Sequence, residues 1–110
     1  MRRTAKHEVN EVELARAEIR TRAQYVEALR AELLALGYLV AVVHAPDGDR
    51  LWIDRREGPL SRGPLIVACT RADDGSWWFG HPWGGRLAPA DDVPAAARQI
   101  ATVLDRQPPL

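Results

Sequence analysis

At 110 residues, with 15 basic and 15 acidic side chains cancelling to a formal charge of zero, the chain has room for one domain with one core. It has no overall field to draw it onto nucleic acid or an anionic membrane. One cysteine, Cys69, excludes an internal disulfide, and Arg2, Arg3 and Lys6 followed by acidic residues are unlike a secretory leader, so cytoplasm is the expected compartment.

Residues 1–9 mix charges without an apolar period and read as a loose arm. Residues 11–36 read as one long helix: Val12, Ile19, Val26 and Leu33 fall seven apart, with Ala15, Leu29 and Leu36 three further along, all on one face. Asn10 with Glu13 has the spacing of a capping box, Val9 with Leu14 that of a hydrophobic staple, and Gly37 that of a left-handed C-terminal cap that brings Tyr38 to Leu33. The flanks of this face carry Glu11, Glu18 and Glu32 on one side and Arg16 and Arg30 on the other, the charge arrangement of a paired helix, although Arg22 interrupts the seam. Two readings stay open. Either the carboxyl half packs on the protein's own sheet and Glu18 with Arg22 is a surface pair, or the amino half also projects and pairs with a second copy or another protein.

Past Gly37 the pattern turns extended. Residues 38–45 are apolar on both faces, which predicts a strand interior to a sheet, and Pro46-Asp47-Gly48-Asp49 is turn chemistry. Residues 50–56 alternate, with Leu51 and Ile53 opposed to Trp52, Asp54 and Arg56, so they form the return strand of a hairpin. Gly58-Pro59-Leu60 and Gly63-Pro64-Leu65 make a short loop to a second hairpin, with strands at 65–71 and 76–80 around the turn 72–75. Pro82, Gly84, Gly85 and Pro89 predict irregular chain to residue 90. A second helix at 93–106 places Val93, Ala96, Ala97, Ile100, Val103 and Leu104 on one face behind an Asp91 or Asp92 cap, and ends before Pro108-Pro109. The sum is an α+β fold: a long N-terminal helix, a four-stranded antiparallel sheet of two hairpins, and a C-terminal helix, both helices on one face.

Four tryptophans stand in this chain, three of them between residues 77 and 83. In an alternating strand Trp77 and Trp78 face opposite ways, so one leaves the core, and Trp52 joins it on the outer face. Such rings either cover the open sheet or form a contact surface, since tryptophan offers a large rigid area and one N–H donor. The segments Trp77-Trp78-Phe79, Pro82-Trp83-Gly84 and Ala88-Pro89-Ala90-Asp91-Asp92 resemble a block in small proteins of high-G+C bacteria. That resemblance implies no activity and assigns no catalytic residue.

Chemistry-bearing patterns are sparse. His7, His44, His81 and Cys69 lack metal-ligand spacing, and the pairs Asp47/Asp49, Asp73/Asp74 and Asp91/Asp92 stand where turns and caps want aspartate. No phosphate-binding glycine motif is present, so no cofactor is expected. Arg50, Arg55, Arg56, Arg62 and Arg71 beside Trp52 could form a single-strand platform, but Asp54 and Glu57 sit among them and nucleic acid is not the expected partner. The expected function is a non-enzymatic protein-interaction module that forms a homodimer or takes a protein partner. Its contacts would be Val12 and Ile19 on the helix and Trp52, Trp78, His81 and Trp83 on the sheet and loop. The alternative is a small-ligand or peptide site held by Trp77 or Trp78, His81 and Trp83. No apolar run nears the ~20 residues that cross a bilayer, so no membrane partner is expected.

Overall fold

The computed structural model describes residues 2–46, 48–55 and 64–106, with side chains from residue 11 onward. Asp47, Arg56, Arg62, the first Gly-Pro-Leu, the side chain of Val9 and the closing Pro108-Pro109 lie outside the described residues. In chain order the elements are α1 (Arg2–Ala35), β1 (Leu39–Val43), β2 (Arg50–Asp54), β3 (Leu65–Arg71), β4 (Trp77–Gly80), β5 (Arg86–Pro89) and α2 (Val93–Arg106).

The α+β architecture follows the sequence pattern, with corrections. The helix does not start at the Asn10 cap: α1 is 34 residues long and runs through Asn10 to Arg2, where the sequence predicts a loose arm. Arg, Ala, Lys and Glu in residues 2–8 are good helix formers, and one interior Asn costs less than 1 kcal/mol or so. At the other end the expected cap forms. The Gly37 N–H donates to Leu34 O at 3.0 Å and the Tyr38 N–H to Leu33 O at 3.1 Å, with Gly37 at φ 95°. Those two bonds are the paired closures of a Schellman motif, and the positive φ is why glycine stands there.

The sheet has five strands, not four, in the order β1-β2-β3-β4-β5. The added strand is β5, in a stretch whose glycines and prolines predict irregular chain. Gly84 and Gly85 take positive φ and close the turn through His81 N–H to Gly85 O (3.0 Å), letting β5 return on β4. Pro89 pairs with Trp78 on an edge strand, the place in a sheet that tolerates a residue without an N–H. Gly80 sits at the irregularity in this pairing, and a Cβ there would collide with the Gly85 carbonyl oxygen. The third correction concerns β1, which is the opposite edge rather than an interior strand.

One face of the sheet is core. Ile53 and Leu65 stand in register, as do Cys69, Phe79 and Ala88, and all five are buried. Against them pack Val26, Leu29 and Leu33 of α1 and Ala96, Ala97, Ile100 and Leu104 of α2, so both helices lie on this face as the stripes predict. Asp92 caps α2, its Oδ1 accepting the Ala95 N–H at 3.1 Å. Arg55 reaches Asp105 of α2 at 3.3 Å, and Arg71 bonds Glu18 of α1.

Candidate functional site

Two surfaces are left uncovered by this packing. The first is the amino half of α1. Val26, Leu29 and Leu33 are buried on the sheet, but the same helical face continues to Ile19 (64% exposed) and Val12 (51% exposed), where nothing among the described residues covers it. The molecule measures 65 × 24 × 24 Å, and a 34-residue helix of about 51 Å supplies most of the long axis. Leu14, off that face, is exposed as well.

Arg22 marks the boundary between the covered and uncovered halves. Its guanidinium lies 5.8 Å from the centre of the Trp77 ring, which in turn tilts against Tyr25 at 6.0 Å. A side chain at Gly48 would strike the Arg22 guanidinium, so the β1–β2 turn closes directly onto it. Arg22 is therefore absorbed by the sheet end rather than by a seam, and Glu18, expected to pair with it, bonds Arg71 instead. Between Ile19, Arg22 and Ala23 on the helix and Pro46 and Asp49 on the turn runs an open cleft of about 290 Å³.

The second surface is the outer face of the sheet. Ala41, Trp52 and Ile66 stand in register across three strands, with exposed Leu39 and Val43 on the same face of β1. Trp78 shares this face, as the alternation predicts, while Trp77 turns inward. Trp78 pairs with Thr70, which is four residues from Ile66 along β3 and so about 13 Å from the Trp52 row. The two rings do not touch one another. Trp78 is already engaged, donating Nε1–H to Ser76 Oγ at 2.9 Å under the Arg86 guanidinium at 4.6 Å from its ring centre.

Of the aromatic pocket expected from Trp77 or Trp78, His81 and Trp83, the structure stacks the last two on each other and sets both Trp77 and Trp78 on another groove. Trp83 is 73% exposed and stacks on His81 at 4.8 Å between ring centres. Trp78 instead borders a separate groove of about 440 Å³ with Tyr25, Ser76, Trp77, Pro89 and Asp91. Sequence reasoning missed Tyr25 and Pro89 as groove residues, because each belongs to an element read for another purpose. Among the described residues the arginines do not gather on one face either: Arg55 and Arg71 turn to the helices, leaving Arg50 in the Val43 and Ala68 row.

The remaining polar chemistry is structural. Cys69 is buried on β3, and that burial pushes its thiol up to about 12 against a small opposing effect of Arg22. Tyr38 is raised by burial first and then by the Asp105 carboxylate. Asp74 is lowered by hydrogen bonds from the Ser76 hydroxyl (2.6 Å) and N–H (3.0 Å), the turn role its position predicts. His44 Nδ1 meets Asp49 Oδ1 at 2.7 Å across the first turn. His81 Nδ1 is buried without a partner among the described residues. Among those residues no three His, Cys, Asp or Glu side chains converge to hold a metal ion, and no helix is long and apolar enough to cross a membrane.

No protein family, curated protein or solved structure matches the chain.

Proposed function

We propose that this chain is a non-enzymatic interaction module that self-associates through the amino half of α1. The observation that carries the reading is the continuity of one apolar face: buried at Leu33, Leu29 and Val26, it runs on to Ile19 and Val12 beyond the end of the sheet. Solvated helices have no use for such a face. A partner that covers it recovers apolar burial that the chain alone leaves exposed.

The test is the molar mass by light scattering of wild type and of the Val12→Glu/Ile19→Glu variant. Each of these side chains is half or more exposed, so covering it contributes roughly 1 kcal/mol or more. Two from each chain give about 4 kcal/mol, on the order of a thousandfold in dissociation constant. Wild type is expected at twice the chain mass at micromolar concentration and the variant at one. A wild type that stays monomeric at high micromolar concentration refutes the reading.

A second reading, a short peptide held on aromatic rings, is favoured by the Tyr25, Trp77 and Trp78 groove beside Pro89. Quenching of tryptophan fluorescence by proline-rich peptides, lost in Tyr25→Ala, would support it.

A further inference from the structure

Resting on the self-association proposed above, we infer that the second copy joins at β1. The two β1 strands pair antiparallel about Ala41 and merge two five-stranded sheets into one of ten, with the two α1 helices antiparallel beside each other on the inner face. The first observation is an unguarded edge. Among the described residues no strand lies beyond β1, and alternate residues of such a strand direct their N–H and C=O groups away from the sheet. Edges that stay unpaired carry charge, proline or a bulge. β5 has Arg86, Pro89 and an irregular register, whereas β1 is Leu-Val-Ala-Val-Val, paired with β2 without a break.

Its own copy fits this edge. A two-fold axis at Ala41 sets Leu39 opposite Val43 and Ala41 opposite Ala41 on the outer face, and Val40 opposite Val42 on the inner one. All five residues then pair with apolar neighbours. Trp52 stands beside Ala41 in each chain, so the central outer row has two small residues between two indole rings.

The second observation is a stripe on α1 that the same axis must satisfy. Ala23, Glu27, Arg30 and Leu34 follow one another at four, three and four residues. They face the β1 side, since Ala23 borders the cleft with Ala45 and Pro46, while Tyr25 on the other flank meets Trp77 of β4. Ala23, Glu27 and Leu34 are exposed and Arg30 is partly so. Run antiparallel against itself, the stripe sets Leu34 against Ala23 of the second copy and Arg30 against Glu27, about a centre between Ala28 and Leu29. Glu27 and Arg30 already bond within the chain at 2.8 Å, so four charges alternate in sign across the axis.

The strand puts the axis at the same level. The Tyr38 N–H is tied to Leu33 O, and Ala45 stands beside Ala23, so Ala41, about midway between, lies level with Ala28. One count along β1 and another along α1 thus give one two-fold axis. A foreign strand would satisfy the edge and leave the stripe unmatched. Leu34 of the second copy arrives at the cleft between Ala23 and Pro46, and Ile19 comes level with Tyr38 of the second copy. The amino half of each α1 is thereby laid along the other chain.

The test exploits Ala41 facing its own image. Ala41 is exposed, so Ala41→Lys and Ala41→Glu leave the core intact, as circular dichroism checks. Each puts like charges directly opposite across the axis and is expected to weaken the dimer about tenfold by light scattering. Mixed in equal amounts, the two variants are expected to recover the dimeric mass, one lysine facing one glutamate. In wild type, amide hydrogen exchange in β1 is expected to slow as concentration rises into the dimeric range. Single variants that dimerise as wild type does, or a mixture no tighter than the singles, overturn the axis at Ala41. A dimeric wild type whose β1 exchange is independent of concentration overturns the β1 pairing and leaves self-association through α1 standing. A monomeric wild type overturns both.

Discussion

Trp83→Ala separates a contact residue from a structural cover, and the geometry sets the size of the effect. The side chain is 73% exposed and its ring stacks on His81, at 4.8 Å with planes 10° apart. A fully packed tryptophan costs about 3–5 kcal/mol when truncated to alanine. With only about a quarter of that burial present, plus roughly 0.5–1 kcal/mol for the stack, the expected loss is about 1–2 kcal/mol. Phe79, buried at the centre of the sheet between Cys69 and Ala88, is the internal standard and should lose about 3–5 kcal/mol on the same substitution. Urea unfolding followed by far-ultraviolet circular dichroism measures both, because Trp83→Ala removes part of the fluorescence signal. With the slope unchanged, the midpoint shift gives the difference directly. A Trp83→Ala loss as large as that of Phe79→Ala would show the ring to be a cover, and the exposed geometry described above would be wrong for the folded state in solution.

Cys69 should resist native labelling: burial holds its thiol near 12, so a maleimide at pH 7.5 is expected to react orders of magnitude more slowly than in urea, and rapid native labelling would contradict its place on β3. The sign with pH follows. Because the folded-state value lies above the ordinary one near 9, the stabilisation from keeping the thiol neutral is complete below pH 9 and is lost as pH rises from 9 toward 12, so Cys69→Ala should flatten alkaline unfolding in that window. Gly37→Ala, at φ 95° with open space around the added carbon, is expected to cost about 1 kcal/mol through backbone strain alone, read as a fall in unfolding midpoint; a neutral result would mean α1 does not end in the left-handed cap.

Where local pattern and tertiary packing agree, the elements were legible. The spans of β3 and α2 coincide with the predicted ones because each is bounded by turn or cap chemistry and buries an unbroken periodic face. The carboxyl end of α1 was legible for the same reason, since Gly37 is required there. Its amino end was not: Asn10 and Glu13 make a plausible cap, yet a helix anchored by Val26, Leu29 and Leu33 needs no new nucleus to continue through favourable residues. β5 was hidden because Pro89, Gly84 and Gly85 read as breakers, and only the position of an edge strand makes them acceptable. β1 was misplaced because an apolar strand looks the same whether its second face meets a neighbouring layer or solvent.

The site was legible in its parts and not in its assembly. Period two alone separates Trp77 from Trp78, but no local rule tells that Arg86 will cover Trp78 or that Trp83 will stack on His81 rather than join a pocket. Arg55 and Arg71 show that alternation was itself informative. Arg55 continues the Leu51 and Ile53 row and Arg71 the Leu65, Val67 and Cys69 row, so period two sends both to the helix side, where they meet Asp105 and Glu18, 50 and 53 residues away.

The length of α1 is the feature that the chain's own core does not account for. Five strands about 4.8 Å apart span roughly 20–25 Å, and a helix crosses that width in about 15 residues. Residues 22–35 are enough to do so, and among the described side chains they hold every buried position of α1. Residues 11–21, the described side chains before them, therefore add no core. As an isolated helix they would be marginal in water, and they gain order only from continuity with the packed half. A solvated extension would keep helix propensity with a polar surface throughout. Val12 and Ile19 instead preserve the spacing of the packed half, and Ile19 borders a cleft whose far wall is Pro46 and Asp49. An apolar face in phase with the core, leading into an open cleft at the sheet end, is what a second helix laid against α1 would require.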